Sequence, residues 1–193
     1  MRVALLILTL QIAAAAQGVI DRVAVVVGNQ VITDTEVRTE LRLTQFFNGQ
    51  PVDLSAAARR QAAERLVDQH LIKGEMQTGG YQVPSGSEAD TLLRQFRQQN
   101  YPSDAAYRAV LQKYGLTEDD VKRHLLWQVA ALRFAEQRFR MASPPPPPAQ
   151  SADRLVDRTQ PASSKEEEQD EMDAWLTQAR SGTRIQFKKE AFQ

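Results

Sequence analysis

The chain contains no cysteine. That excludes disulfide staples, thiol nucleophiles and thiolate metal sites, and with them a lipid anchor that needs a cysteine at the mature N-terminus. Histidine is almost missing as well. His70 and His124 are the only two; they make no ligand cluster and no His-Glu-x-x-His spacing. No Gly-rich phosphate loop and no Gly-x-Ser-x-Gly elbow occurs. Asp119-Asp120 and Glu166-Glu167-Glu168 are adjacent carboxylates in sequence only: the first pair suits the start of a helix, the run a solvated segment. No catalytic residue, metal site or cofactor is expected, and the chain reads as a non-enzyme.

Net charge is lacking too. The 24 basic and 24 acidic residues cancel, so no global field points to nucleic acid as a partner. The charge is nonetheless uneven, with residues 94–140 leaning basic and residues 165–173 strongly acidic. A run of about 20 apolar residues, as a bilayer-spanning helix requires, is absent. The main apolar stretch, residues 3–16, is interrupted by Thr9 and Gln11, follows Met1-Arg2 and ends in Ala14-Ala15-Ala16. It reads as a signal peptide, residues 1–16, cleaved between Ala16 and Gln17. Export is therefore expected, with no stable membrane insertion after cleavage.

What remains is punctuated by capping and turn residues. Arg22 to Val27 is β-branched and nearly uncharged, as a mostly buried strand would be. Gly28-Asn29-Gln30 supplies a turn and Val31-Ile32 a short return strand. Thr33 with Glu36 three residues on forms a capping box that starts a helix, whose stripe is Val37, Leu41 and Phe47; Asn48-Gly49 stops it. Ser55 opens a second helix carrying Ala63, Leu66, Val67, Leu71 and Gly74, ended by Gly79-Gly80. Val83-Pro84 reads as an extended connector. Ser85 or Ser87 caps a third helix and Ser103 a fourth, closed by Gly115. Thr117, ahead of Glu118, Asp119 and Asp120, starts a fifth, with Val121, Leu125, Val129 and Leu132 as its stripe. Its end is expected near Met141.

Five prolines at residues 144–148 then rule out helix and favour polyproline II. Residues 143–171 are expected to form a mobile, proline-rich and charged linker. Met172, Trp175, Leu176 and Ala179 share a helical face. Residues 183–188 alternate as a half-buried edge strand, with Ile185 and Phe187 inward. A two-strand hairpin is marginal alone, so this strand is expected to complete the N-terminal sheet.

The stretch DRVAVVVGNQVITDTEV, the helix RLVDQHLIKGEM, the closing DAWLTQARSGTRIQFKKE and the signal peptide together resemble the SurA-like N-terminal chaperone domain family. The resemblance implies an α+β, mainly α fold: a helical chaperone module at residues 17–142, the linker, and residues 172–193 returning to the module. In that family a parvulin isomerase domain normally follows. Here the segment 142–171 has no histidine, aromatic residue or cysteine, and is shorter than the roughly 50 residues of the smallest ordinary domains. Prolyl isomerase activity is not expected.

The function implied is that of a periplasmic, ATP-independent holdase, with unfolded or extended polypeptides as clients and outer-membrane protein precursors foremost among them. A periplasmic scaffold or adaptor that binds one specific partner is the alternative. A holdase needs apolar surface rimmed by charge. Phe46, Phe47, Phe96, Tyr101 and Trp127 are the candidate client contacts, with Tyr107, Phe134 and Phe139 behind them. Phe46 and Phe47 are adjacent and cannot both face one way, so one should be the more exposed. Trp127 lies off the stripe of its helix and contacts either another helix or a client. His70, on its helix's apolar stripe, reads as a packing residue, and His124 as a residue at a helix margin.

Overall fold

The computed structural model describes residues 21–140 and 162–193, with the main chain alone at residues 140 and 162–168. The expected signal peptide and linker residues 143–161 lie outside the described residues.

The chain opens with an antiparallel hairpin, β1 (Val23–Val27) and β2 (Gln30–Thr33), in which Val27 faces Gln30. Only Gly28-Asn29 separate the strands, and Gly28 adopts φ +60°, a conformation that costs glycine least. Thr33 then caps α1 (Asp34–Phe47): its Oγ1 accepts from the Glu36 N–H at 3.3 Å, and Glu36 Oε2 accepts from the Thr33 N–H at 2.7 Å. Ser55, Ser85 and Ser103 cap α2 (Ala56–Gly79), α3 (Gly86–Asn100) and α4 (Asp104–Tyr114) through their hydroxyl oxygens alone, which accept from the Ala58, Glu88 and Ala106 N–H groups. Thr117 and Asp120 form a second capping box at α5 (Glu118–Ala135), which runs on into a π-helical turn, Glu136–Arg140. Each start follows from a side-chain oxygen satisfying a first-turn N–H that has no partner within the helix.

Helix α6 (Ala162–Gly182) and strand β3 (Ile185–Phe187) return to the N-terminal half. α6 begins earlier than the boundary expected at Met172. The Lys-Glu-Glu-Glu-Gln run from Lys165 has high helix propensity, but no apolar stripe that periodicity could register. β3 pairs antiparallel with β1, placing Phe187 opposite Val25 and Ile185 opposite Val27, so the sheet order is β2-β1-β3. The Gly28 N–H to Arg184 carbonyl bond at 2.9 Å and the Lys188 N–H to Ala24 carbonyl bond at 2.8 Å extend the ladder at both ends. The architecture is mainly helical with one small antiparallel sheet joined by both ends of the chain, as the hairpin argument required.

Three apolar clusters form the core, two of them built on α2. The first lies under the sheet: Ala24, Val25, Val27 and Ile32 meet Val37, Ala63 and Val67, with Ile185 and Phe187 packed at the edge. The second is aromatic and joins the end of α1 to α3, α4 and α5. The third joins Ile72 and Met76 of α2 to Ala130 and Phe134 of α5, and α6 covers it with Met172, Trp175 and Leu176. α2 therefore buries two faces, which is why Ile72 and Met76 stand outside the single stripe readable in its sequence. On α5 the buried residues are Val121, Ala130 and Phe134, whereas Leu132, expected on the inner stripe, is 60% exposed.

α6 is fastened to α2 by one guanidinium. Arg180 Nε donates to Asp68 at 2.7 Å, Nη1 to Glu64 at 2.8 Å and Nη2 to the Glu64 carbonyl at 3.1 Å. Both carboxylates hold its pKa above the usual arginine value. Charge-assisted forks of this kind are about twice as strong as neutral hydrogen bonds. Arg180→Met is expected to cost roughly 1–3 kcal/mol, seen as a melting midpoint lower by several degrees. An unchanged midpoint in thermal denaturation would show that the clamp does not hold the closure.

Candidate functional site: a groove beside Trp127

Gly80 ends α2 in the left-handed region, φ +69°, and Pro84 immediately before the Ser85 cap cannot extend a helix. The connector between them therefore runs extended and lays Val83 and Pro84 beside α5. There they meet Met76 from α2 and Leu126, Trp127 and Ala130 from α5 around an open groove of about 330 Å³. Val83 is 68% exposed, the most exposed large apolar residue described. Lys73, Gln77 and Arg123 complete the lining, and the Lys73 ammonium lies 5.0 Å from the centroid of the Trp127 ring. This is an apolar floor with a charged rim.

Across Trp127 the surface changes character. Lys73, Arg123 and Trp127 also line a second cleft of about 360 Å³ between α1, α2 and α5, which Thr39, Gln69 and His124 make polar. Glu40 lies in its wall, buried, with burial raising its pKa and Arg65, at 3.4 Å, opposing that rise. His124 is half-buried. Its ring stacks on Phe47 with centroids 4.6 Å apart, and its Nε2 lies 3.2 Å from Gln128 Nε2. With the amide as donor, that contact suits the neutral imidazole. Burial first, then the charge of Arg65, lowers the His124 pKa to about 4.

The five aromatic residues singled out in the sequence do not form one surface. Phe46, Phe47, Phe96 and Tyr101 meet in the second cluster: Phe46 lies 5.1 Å from Phe47, and Phe96 lies 5.1 Å from Phe47 and 5.9 Å from Tyr101. Phe46 is buried and Phe47 half-buried, so one of the adjacent pair is indeed the more exposed. Neither forms an open platform, however, because α3 and α4 enclose one ring and His124 covers the other. Tyr107 is buried at the cluster's base, its hydroxyl pushed up to about 12 chiefly by burial. Phe134 and Phe139 are buried as well. Trp127 stands apart from the four, in the groove. Of its partners there, Met76, Val83, Pro84 and Leu126 escaped the sequence reading. The available signal was the apolar pair Val83-Pro84 in a segment too short for any element and so without reason to be apolar.

Among the described residues, no group of histidine or acidic side chains is placed to hold a metal ion, and no helix is long and apolar enough to cross a membrane.

A family model described as SurA-like N-terminal domain matches residues 1–132, more than half of the chain. No curated protein matches it.

His124 carries a pH dependence whose sign is fixed. Its folded pKa lies below the ordinary value of 6.5, so the unfolded chain binds the proton more readily. Its contribution to stability is complete above pH 6.5 and is lost as pH falls from there to about 4. After allowance for partial exposure the loss is about 1–2 kcal/mol. In urea denaturation across that range, His124→Phe should lose less stability than the parent. Parallel pH profiles for the two proteins would refute the assignment.

Proposed function

The chain belongs to the SurA-like N-terminal domain family, and on that footing we propose that it binds unfolded polypeptides as a holdase. Modules of this family are of chaperone type. The observation that carries the reading is the groove beside Trp127: exposed Val83 on the connector and half-buried Leu126 and Trp127 on α5, over a buried floor of Met76, Pro84 and Ala130, bordered by Lys73, Arg123 and Gln77. Such a surface accepts many apolar side chains, while the charged rim keeps the free protein soluble.

The mechanism is differential burial. Apolar area leaving water contributes about 25 cal/mol per Å². A client inserting one or two large side chains gains a few kcal/mol, from which the cost of ordering an extended chain is subtracted. Weak, fast and promiscuous binding follows, on the order of micromolar or weaker. The periplasm is the proposed compartment and outer-membrane barrel precursors the proposed clients, because their alternating strands aggregate when unpaired. No step needs a nucleotide or a prolyl isomerase. α5 with its π-helical turn closes at Arg140 and α6 opens at Ala162, which leaves an interval too short for a parvulin domain.

The test is light scattering of a denatured outer-membrane barrel protein diluted with and without the purified chain from residue 17 onward, repeated with an unrelated unfolded client. Suppression of both at near-stoichiometric ratios is expected, and Val83→Ser, at the exposed apolar residue of the groove, should weaken it severalfold with little change in melting midpoint. Suppression of neither, together with capture of a single folded partner, would replace the holdase with an adaptor.

A further inference from the structure

A second cavity lies on the other side of α2, bounded by the hairpin turn, α2 and α6. It is an open cleft of about 550 Å³ with a mixed lining, in which Leu71, Gly74, Trp175 and Ala179 lie with the polar Gln30, Thr78 and Gln178. Gly74 sits inside α2, where glycine is costly relative to alanine. A Cβ built there would meet no atom within 4 Å, so close helix packing is not what requires the glycine. What the missing side chain keeps clear is the cavity. His70, also in the lining, is half-buried. Its Nδ1 lies 2.9 Å from the Leu66 carbonyl and must donate to it. In the neutral ring Nε2 is then a bare acceptor, with no hydrogen-bond partner among the described residues. Arg138 donates to Glu75 at 2.6 Å and to the Tyr81 hydroxyl at 3.1 Å, and lies 5.2 Å from the Trp175 ring centroid. The one cation and the one carboxylate of the lining thus cancel, which disfavours a small ion as occupant.

A hollow of mixed lining and no net charge, with an aromatic wall and a free acceptor at its side, matches a large apolar side chain together with the polar backbone N–H that follows it. We propose that this cavity is a second polypeptide-contact site, taking an aromatic or aliphatic side chain of an extended client against Trp175 and Leu71, with a client amide donating to His70 Nε2. The inference rests on the holdase reading. One client wrapped over α2 would then occupy the Trp127 groove and this cavity together, and two weak contacts would act as one stronger one.

The chain's two tryptophans stand one in each site, so each site has its own reporter. Trp127→Phe leaves Trp175 as the sole fluorophore. The probe is an unstructured, tryptophan-free synthetic peptide alternating phenylalanine with threonine and serine. The expected result is a saturable change in Trp175 emission. Adding Gly74→Leu should remove it, or weaken the affinity about tenfold, with a melting midpoint no lower than before. Trp175→Phe leaves Trp127 to report the groove. A response from Trp127 alone, or an unaltered affinity in the Gly74→Leu protein, overturns the second site and leaves the holdase standing. Silence from both reporters overturns both readings. A Trp175 response to anionic lipid vesicles but not to the peptide would assign the cavity to lipid and overturn the proposal.

Discussion

β1 cannot be stable with one neighbour. Its residues Ala24, Val25 and Val27 are buried, and a strand at that depth must pair its backbone on both sides, because an unpaired buried amide costs as much as a lost hydrogen bond. β2 satisfies one edge and β3, from the far end of the chain, satisfies the other. The closure therefore couples sequence positions more than 150 residues apart into one sheet, and every later feature depends on it. It brings α6 onto α2, where Arg180 holds it and Trp175 packs at 5.2 Å from Phe134. It also draws β3 and the residues after it under Arg60, whose guanidinium lies 3.4 Å from the Phe187 ring centroid and 5.7 Å from that of Phe192.

With α6 and the sheet on one side and α1 and α5 on the other, α2 becomes the axis of the molecule. The two sides meet around it at Trp175 against Phe134 and at the sheet against Val37, and beside those contacts lie the Trp127 groove and the cavity beneath the hairpin turn. Both are shallow and mixed in character, and both are lined by residues from separate elements. That suits contact with extended chains of varied sequence better than enclosure of one small molecule. A deep pocket with convergent polar groups would have argued the reverse.

Much of this was legible beforehand because it is local. Thr33 with Glu36, Thr117 with Asp120, and the serines at 55, 85 and 103 are capping chemistry that acts within a few residues, and each marks the helix start observed. The alternation of Ile185 and Phe187 likewise announced an edge strand, and the marginal hairpin announced its partner. What depended on tertiary context was not legible. That α2 would bury a second face through Ile72 and Met76 follows only from the arrival of α5 and α6. The aromatic residues illustrate the same limit: Phe46 and Trp127 look alike in sequence, yet α3 and α4 cover one while nothing described covers the other's groove. The start of α6 was missed because a Glu-rich helix without an apolar face has no period to detect.

Hydrogen exchange of the protein, followed by mass spectrometry with and without an excess of a denatured barrel-protein client, tests the central claim that the surface about α2 receives extended polypeptide. The prediction is slowed exchange in residues 73–84 and 123–130 on adding client, with residues 101–114 of the aromatic cluster unchanged. Protection confined to the aromatic cluster, or none anywhere, would contradict it.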